Sequence, residues 1–206
     1  FTSEQILHVR NVLNFFLKNI PDSQWGDDKA SVANAISQSN AILFLLNDEA
    51  EYNNQDVLNL MASGVSGQDL LADEVHPVGS FDYMLSSSRD ATFEEVLHFV
   101  HGFGIQLALP DMQDSIILAM NSAIENEIYS PLNDLSSEDY DEEYLAMGLE
   151  CYFGIWSHDP NGDGYSGDQE YSFISRLDME VGDPELFRLI KGFFGEKLDY
   201  TVFLNS

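Results

Sequence analysis

Apolar residues recur at helical spacing along most of this 206-residue chain, and this periodicity decides the fold class. Residues 68–86 differ, with short apolar runs broken at Pro77 and Gly79 that are typical of strands. The sequence therefore predicts a mainly α fold with a small β component (α+β), in which a short strand or hairpin region precedes the helix near residue 92. The first predicted helix begins after Thr2, which forms a capping box with Gln5. The other predicted helices lie near residues 28–46, 92–103, 111–128, 138–157, 169–179 and 184–194, and an extended segment is predicted at 198–204.

The charge of the chain excludes whole classes of function. Asp and Glu number 36 against 8 Lys and Arg, which gives a formal net charge of -28. Such a chain does not bind a phosphate backbone, so we expect no nucleic-acid partner. Divalent cations and basic partners are favoured instead, although a solvated acidic surface is an equally simple interpretation. Hydrophobic residues make up 44%, which is ample for a core.

The single cysteine and the lack of long apolar runs limit the architecture further. Cys151 excludes a disulfide framework and cysteine-based zinc sites, and its apolar neighbours predict a core position. No apolar run has the length that spans a bilayer, so we expect no transmembrane segment. The sequence begins at Phe1, which fits a removed signal peptide or a trimmed chain. We expect a secreted or extracellular protein.

The segment 92–103 carries the first candidate site. At about 100° per residue, Glu94, His98 and His101 fall within about 60° of one another on one helix face. One carboxylate and two imidazoles on successive turns form half of a metal site, and a carboxylate from another helix would complete it. A structural alternative is that Thr92 and Glu95 form a capping box and that both histidines make ordinary hydrogen bonds.

The segment 138–157 offers further carboxylates. Its acidic first turns suit a helix N-terminus. Glu143 and Glu150 are two turns apart and share a face. Either side chain points at a buried cation, or both are surface carboxylates of an acidic protein.

Two segments resemble a known family. Residues 143–153 and 183–194 are similar to the end of the lethal-factor-like zinc metallopeptidases of the gluzincin group. The resemblance implies that Glu143 is the third zinc ligand, that His98 is the second histidine ligand, and that Glu95 is the catalytic glutamate that activates the metal-bound water. Glu94 stands where the family has its first histidine ligand, so the motif here is Glu-Glu-Val-Leu-His.

This departure leaves alternatives open. In the first alternative the site is inactive and the fold serves a binding or structural role. In the second, Glu94 is a metal ligand and shifts the metal preference from Zn²⁺ towards harder divalent cations. In the third, His101 supplies the missing imidazole. Tyr129 and Tyr140 are the candidates for the family's transition-state tyrosines. The resemblance covers residues 68–195. We therefore expect one domain, 1–206, with an N-terminal helical part, 1–67, and a metallopeptidase-like part, 68–206.

Residues 159–170 contain the most specific motif in the chain. They fit the calcium-loop pattern D-x-[DN]-x-[DN]-G-x5-E in full. A helix is predicted on either side, as in an EF-hand, but there is no second loop. We expect a structural Ca²⁺ site rather than a sensor. The expected oxygen ligands are Asp159, Asn161, Asp163, the Tyr165 carbonyl and Glu170.

Three functions follow from these features. The first is a metal-dependent hydrolase with a variant Glu/His/Glu site and Glu95 as base. The second is a non-catalytic extracellular calcium-binding protein that serves adhesion, ion binding or recognition of a peptide or protein partner. The third is a helical interaction domain whose acidity reflects a saline habitat. We favour a secreted, acidic, calcium-binding protein on a metallopeptidase-like scaffold and leave hydrolysis open.

Overall fold

A computed structural model of the chain describes residues 1–77, 90–133, 135–155 and 170–196. These residues form a mainly helical fold with one two-stranded parallel sheet, which confirms the predicted class. The extended segment expected at 198–204 lies outside the described residues. Among the described helices, none combines the length and apolar composition that crossing a bilayer requires.

The first helix begins as the sequence predicts. Helix α1 spans Ser3–Phe16, and Thr2 caps it. The Gln5 amide donates to Thr2 Oγ1 at 3.2 Å, and the Thr2 amide donates to Gln5 Oε1 at 2.8 Å. This reciprocal pair satisfies two amides that have no partner inside the helix. The buried face of α1 then packs against the helix that carries the site residues.

The helix predicted at 28–46 is wrong in its second half. Helix α2 spans Ala30–Gln38, and strand β1 follows at Ala41–Leu46. Asn40 separates them with a φ of 57°, a left-handed conformation that ends the helix. The run that follows is apolar at every position and has no polar helix face, so it suits a strand covered on both sides.

The strand pairing also differs from a hairpin. Strand β2 spans Ser66–Leu71 and pairs with β1 in parallel, with Ala41 opposite Ser66. A 3₁₀ turn at Glu49–Asn53 and helix α3 at Gln55–Ala62 make the connection. The predicted strand region thus holds β2 at its start, while residues 78–89 lie outside the described residues. The strand that pairs with β2 is β1, which lies in the second half of the helix predicted at 28–46.

The remaining helices follow the predicted order. Helix α4 (Thr92–Val100) continues through a π-helical turn (His101–Ile105) into the short α5 (Gln106–Ala108). The others are α6 (Pro110–Glu125), α7 (Tyr140–Phe153), α8 (Arg176–Gly182) and α9 (Pro184–Phe194). The prediction of a helix from 169 is wrong, because α8 begins only after Ser175, whose hydroxyl accepts a hydrogen bond from the Asp178 amide.

An aromatic core fixes α4 and α7 relative to each other. Helix α4 contacts α1, β2 and α7, and α7 also packs on α6 and α9. Cys151 is fully buried in this core, as predicted. Lys29 is also fully buried, with Nζ donating to the Phe16 carbonyl at 2.9 Å and lying 3.9 Å from the centre of the Phe193 ring. The rings that meet at the centre are Phe15, Phe16, Phe93, Phe153 and Phe194.

Candidate metal centre

Helices α4 and α7 bring three predicted ligands together. One ligand atom from each of Glu94, His98 and Glu143 lies within 4.8 Å of the others. Glu94 and His98 are one turn apart on α4, and Glu143 comes from the first turn of α7. Among the described residues, this is the group of acidic, histidine or cysteine side chains whose spacing suits a metal ion.

The Nε2 atom of His98 faces Glu143. It lies 3.9 Å from Glu143 Oε1 and is buried with no hydrogen-bond partner among the described residues. A buried polar atom without a partner is costly in a fold, and a bound water molecule or ion would satisfy it. Burial lowers the pKa of the His98 imidazole, against the opposing charge of Glu94. The neutral ring that results is the form that binds metals.

Glu94 has little contact with solvent and lies near other acidic side chains. Its residue is 8% exposed, and, in addition to the burial of those two groups, its charge contributes to raising the pKa of Glu74 and that of Glu95. A carboxylate in such a place needs partners or a cation to offset its lost hydration. The position in the first turn of α4 also places it near the positive end of the helix dipole.

Glu95 does not form the capping box considered above. The helix begins after Ala91, and the Thr92 hydroxyl donates to Asp90 Oδ1 at 2.7 Å. Glu95 Oε2 instead accepts a 2.7 Å hydrogen bond from Gln68 Nε2 on β2. Burial, and next the charge of Glu94, raise the pKa of Glu95 to about 8. The Glu95 carboxyl group, which feels the charge of Glu94, therefore titrates near pH 8 in the metal-free fold.

His101 lies outside the three-residue group. Its Nε2 is 2.7 Å from Gln113 Oε1, whereas its buried Nδ1, 3.6 Å from Glu142 Oε1, has no hydrogen-bond partner among the described residues. Gln113 is held in turn by Asp141, to which its Nε2 donates. A π-helical turn starts at His101, and Glu142 lies near both imidazole rings, with its Oε2 3.8 Å from His98 Nδ1.

The calcium-loop prediction falls mostly outside the described residues. Asp159, Asn161, Asp163 and Tyr165 are not described. Glu170 is buried, its carbonyl accepts from the Ser130 amide at 2.7 Å, and its Oε1 accepts from the Leu132 amide at 3.3 Å. The chain after it pairs Tyr171 with Tyr129 instead of entering a helix. The second flanking helix expected of an EF-hand is therefore absent from residues 170–175.

The remaining predicted residues have distinct positions. Tyr129 is buried, and its hydroxyl has no hydrogen-bond partner among the described residues. Burial, and then the charges of Glu170 and Glu143, raise the pKa of Tyr129. Tyr140 begins α7 and is half-buried. Glu150 is buried near the opposite end of α7 from Glu143.

Sequence reasoning missed Glu142 and Gln68. Glu142 Oε2 lies 3.8 Å from His98 Nδ1, while Gln68 holds Glu95. Glu142 sits in an acidic run where neighbouring carboxylates are indistinguishable without the helix packing. Gln68 lies on a strand whose distance from α4 depends on the parallel pairing.

No protein-family model, curated protein or solved structure matches this chain. The family resemblance of the two helical segments therefore has no support from these comparisons.

Proposed function

We propose that Glu94, His98 and Glu143 bind one divalent metal ion and that the protein is a metal-dependent hydrolase. The observation that carries this proposal is the grouping of Glu94, His98 and Glu143, whose ligand atoms lie within 4.8 Å of one another. The buried Nε2 of His98, which has no hydrogen-bond partner among the described residues, supports it. A cation supplies both the partner that Nε2 lacks and the charge that offsets two buried or half-buried carboxylates.

The donor set indicates the class of metal. Two carboxylates and one imidazole suit Zn²⁺, Mn²⁺ or Fe²⁺. Such a site favours harder cations than a site with two histidine ligands does. Three protein ligands leave coordination positions open, which is typical of catalytic sites. A bound ion of this kind would polarise a water molecule or a carbonyl oxygen.

Glu95 is the proposed catalytic base. Its carboxyl group is adjacent to the ligand Glu94, is oriented by Gln68, and has a pKa of about 8 in the metal-free fold. A group that titrates near neutral pH can both accept and return a proton during hydrolysis. The resemblance to the metallopeptidases suggests a peptide bond as substrate, and this assignment stays part of the proposal.

The test compares three variants in metal content and hydrolysis. We expect the wild-type protein, loaded with Zn²⁺ or Mn²⁺ after chelation, to bind about one ion per chain and to cleave a mixed peptide library. His98→Ala should lose both properties. Glu95→Gln should keep the metal, and its rate of peptide hydrolysis should fall by about 100-fold or more. Glu138→Gln, an exposed carboxylate at the start of the same acidic run, is the matched control.

The outcomes separate hydrolase from binding protein. A bound ion without cleavage would leave a non-catalytic metal-binding scaffold, whereas calcium without a second metal would favour the second function considered above. Equal metal content in wild type and His98→Ala would reject the site itself.

Calcium binding and secretion are separate parts of the proposal. The loop 159–170 supports a structural Ca²⁺ site through its sequence motif alone. Calcium content measured by plasma mass spectrometry on Asp159→Ala and Asp163→Ala tests it without disturbing the buried Glu170. Secretion stays a prediction, and it is consistent with a weak calcium site that fills at extracellular concentrations.

A further inference from the structure

Helix α8 and the chain just before it carry an apolar stripe, formed by Ile174, Leu177 and Val181. These side chains are 50%, 70% and 79% exposed, and they line one groove. On the helix, Leu177 and Val181 are separated by about 40°, and the fully buried Met179 lies on the opposite side. Met179 therefore fixes α8 on the core while the stripe faces solvent. Single exposed apolar residues are ordinary, whereas a continuous exposed set marks an interaction surface.

The groove beside the stripe has an aromatic wall. Its volume is about 530 Å³, and Phe173 lines it together with the stripe. The Phe173 ring lies against Gly182, where a Cβ atom would approach the ring Cζ to 2.0 Å. The same ring packs edge-on against the buried Tyr171, with ring centres 5.6 Å apart. The glycine thus leaves room for the ring, and the groove is large enough for several apolar side chains of a ligand.

Carboxylates border the stripe on both sides. Along the helix, Asp178 lies about 100° from Leu177 in one direction and Glu180 about 60° from it in the other. Both residues are exposed, and neither forms a salt bridge within the described part of the chain. The guanidinium of Arg176 is directed at Tyr152, stacking 3.8 Å from the ring centre and donating to the hydroxyl at 2.9 Å. The surface is therefore apolar along its centre and acidic along its borders.

The charge pattern selects among the partners that would cover the stripe. A second copy of the chain would bring the same carboxylates against each other, and each copy has a net charge of -28. Like charges placed together across an interface oppose association. A helix with apolar residues on one face and Lys or Arg beside that face would bury the stripe and pair with its carboxylate borders. Amphipathic helices bind apolar grooves in this way.

We propose that the stripe of Ile174, Leu177 and Val181, with the groove beside it, binds a cationic amphipathic helix of a partner protein. The apolar face of that helix covers the stripe, and its basic side chains lie against Asp178 and Glu180. None of these five residues belongs to the proposed metal centre, so the inference is independent of the proposed function.

Fluorescence anisotropy with three labelled peptides of equal length tests this pairing on the full chain. The first peptide has Leu on one helix face and Lys along its borders, and the second has Glu in place of Lys. The third has the composition of the first in an order that forms no apolar face, so it measures the attraction of any cationic peptide to this acidic chain. At about 0.15 M salt, we expect the first peptide to bind at least about 10-fold more tightly than the third. The second should not bind.

Substitutions at exposed positions locate the binding surface without disturbing the core. Leu177→Ser combined with Val181→Ser should weaken binding of the first peptide by about 10-fold or more, because two apolar contacts are lost. Glu180→Gln should weaken it by about 2–5-fold, as expected for an exposed ion pair. Leu118→Ser removes a leucine that is 69% exposed and does not line the groove, and Glu138→Gln removes an exposed carboxylate. Neither control should change the affinity, and circular dichroism melts show that each variant is folded.

Several results would overturn the proposal. The first is no binding of the first peptide, or equal affinity for the first and third peptides. The second is an unchanged affinity in the Leu177→Ser and Val181→Ser double variant. Binding of the acidic peptide as tight as that of the cationic one would show that the borders do not select charge. A wild-type dimer in light scattering that dissociates in the double variant would assign the stripe to a second copy of the chain instead.

Discussion

The side-chain amide of Gln68 on β2 donates a 2.7 Å hydrogen bond to Oε2 of Glu95 on α4. This hydrogen bond connects the sheet to the proposed base. The parallel pairing of β2 with β1 positions Gln68, so the orientation of the base depends on strands that lie earlier in the sequence than the metal ligands.

Gln68→Leu should separate base orientation from metal binding. The substitution removes the donor but keeps a side chain of similar length, so Glu95 loses its fixed direction. We expect unchanged metal content and a hydrolytic rate lowered by about 10–100-fold, because small misplacements of a reacting group have effects of this order. Ser66→Ala, an exposed change on the same strand, should have no effect. A Gln68→Leu enzyme with the wild-type rate would contradict the role of this contact.

Glu95→Gln should stabilise the metal-free protein at alkaline pH. Because the pKa of Glu95 is raised to about 8, the folded state binds its proton more tightly than the unfolded state, and stability is lost as pH rises towards 8. Glutamine mimics the protonated carboxyl group and avoids this loss. We expect the free energy of unfolding at pH 9 to exceed that of the wild type by about 2–4 kcal/mol. Urea unfolding in the presence of chelator at pH 5 and pH 9 measures the difference, which should be near zero at pH 5.

Lys29 should make stability rise between about pH 7 and pH 10. Burial lowers the pKa of Lys29 from 10.5 to about 7, so in this window the unfolded state binds the proton that the folded state releases. Relative to Lys29→Met, the wild type should gain up to about 4–5 kcal/mol across the window. Urea unfolding of both proteins at several pH values gives this slope.

A control for the lysine prediction is available on the surface. Lys18 is exposed, and Lys18→Met should leave the pH dependence of unfolding unchanged. Parallel pH profiles for Lys29→Met and the wild type would show that the buried ammonium group has an ordinary pKa.

Gly67→Ala should disrupt the two-stranded sheet. A Cβ atom at position 67 would lie 1.9 Å from the Ile42 carbonyl oxygen and 2.7 Å from the Phe44 ring, so the strands must separate. We expect a loss of more than about 2 kcal/mol in the free energy of unfolding. Gly64→Ala, with a φ of 83° and open space around it, should cost only about 1 kcal/mol of backbone strain. Equal costs at the two positions would show that the close contact at Gly67 is not sterically limiting.

The sequence predicted the features that depend on local periodicity. Helices α6, α7 and α9 lie close to their predicted positions, and Thr2 caps α1 as expected. The three residues of the candidate metal centre were also predicted from the sequence. Glu94 and His98 share a predicted helix face, and the family resemblance pointed to Glu143 on a second helix.

The errors arose where long-range contacts decide the structure. The run 41–46 forms a strand because β2 pairs with it, and no local pattern reveals that partner. The capping box considered at Thr92 does not form, because the Thr92 hydroxyl donates to Asp90 and the Glu95 carboxylate accepts from Gln68. Glu142 became distinguishable from its acidic neighbours only through the packing of α7 against α4 and the π-helical turn.

The origin of the three ligands on two separate helices links occupancy of the site to folding. An unfolded chain does not hold Glu94 and His98 of α4 close to Glu143 of α7, so an ion that binds all three has affinity for the native state alone. Free metal at about 100 times its dissociation constant then adds about 2.7 kcal/mol to the free energy of unfolding. The melting temperature would therefore rise with metal concentration, which makes a thermal shift a direct measure of affinity at this site.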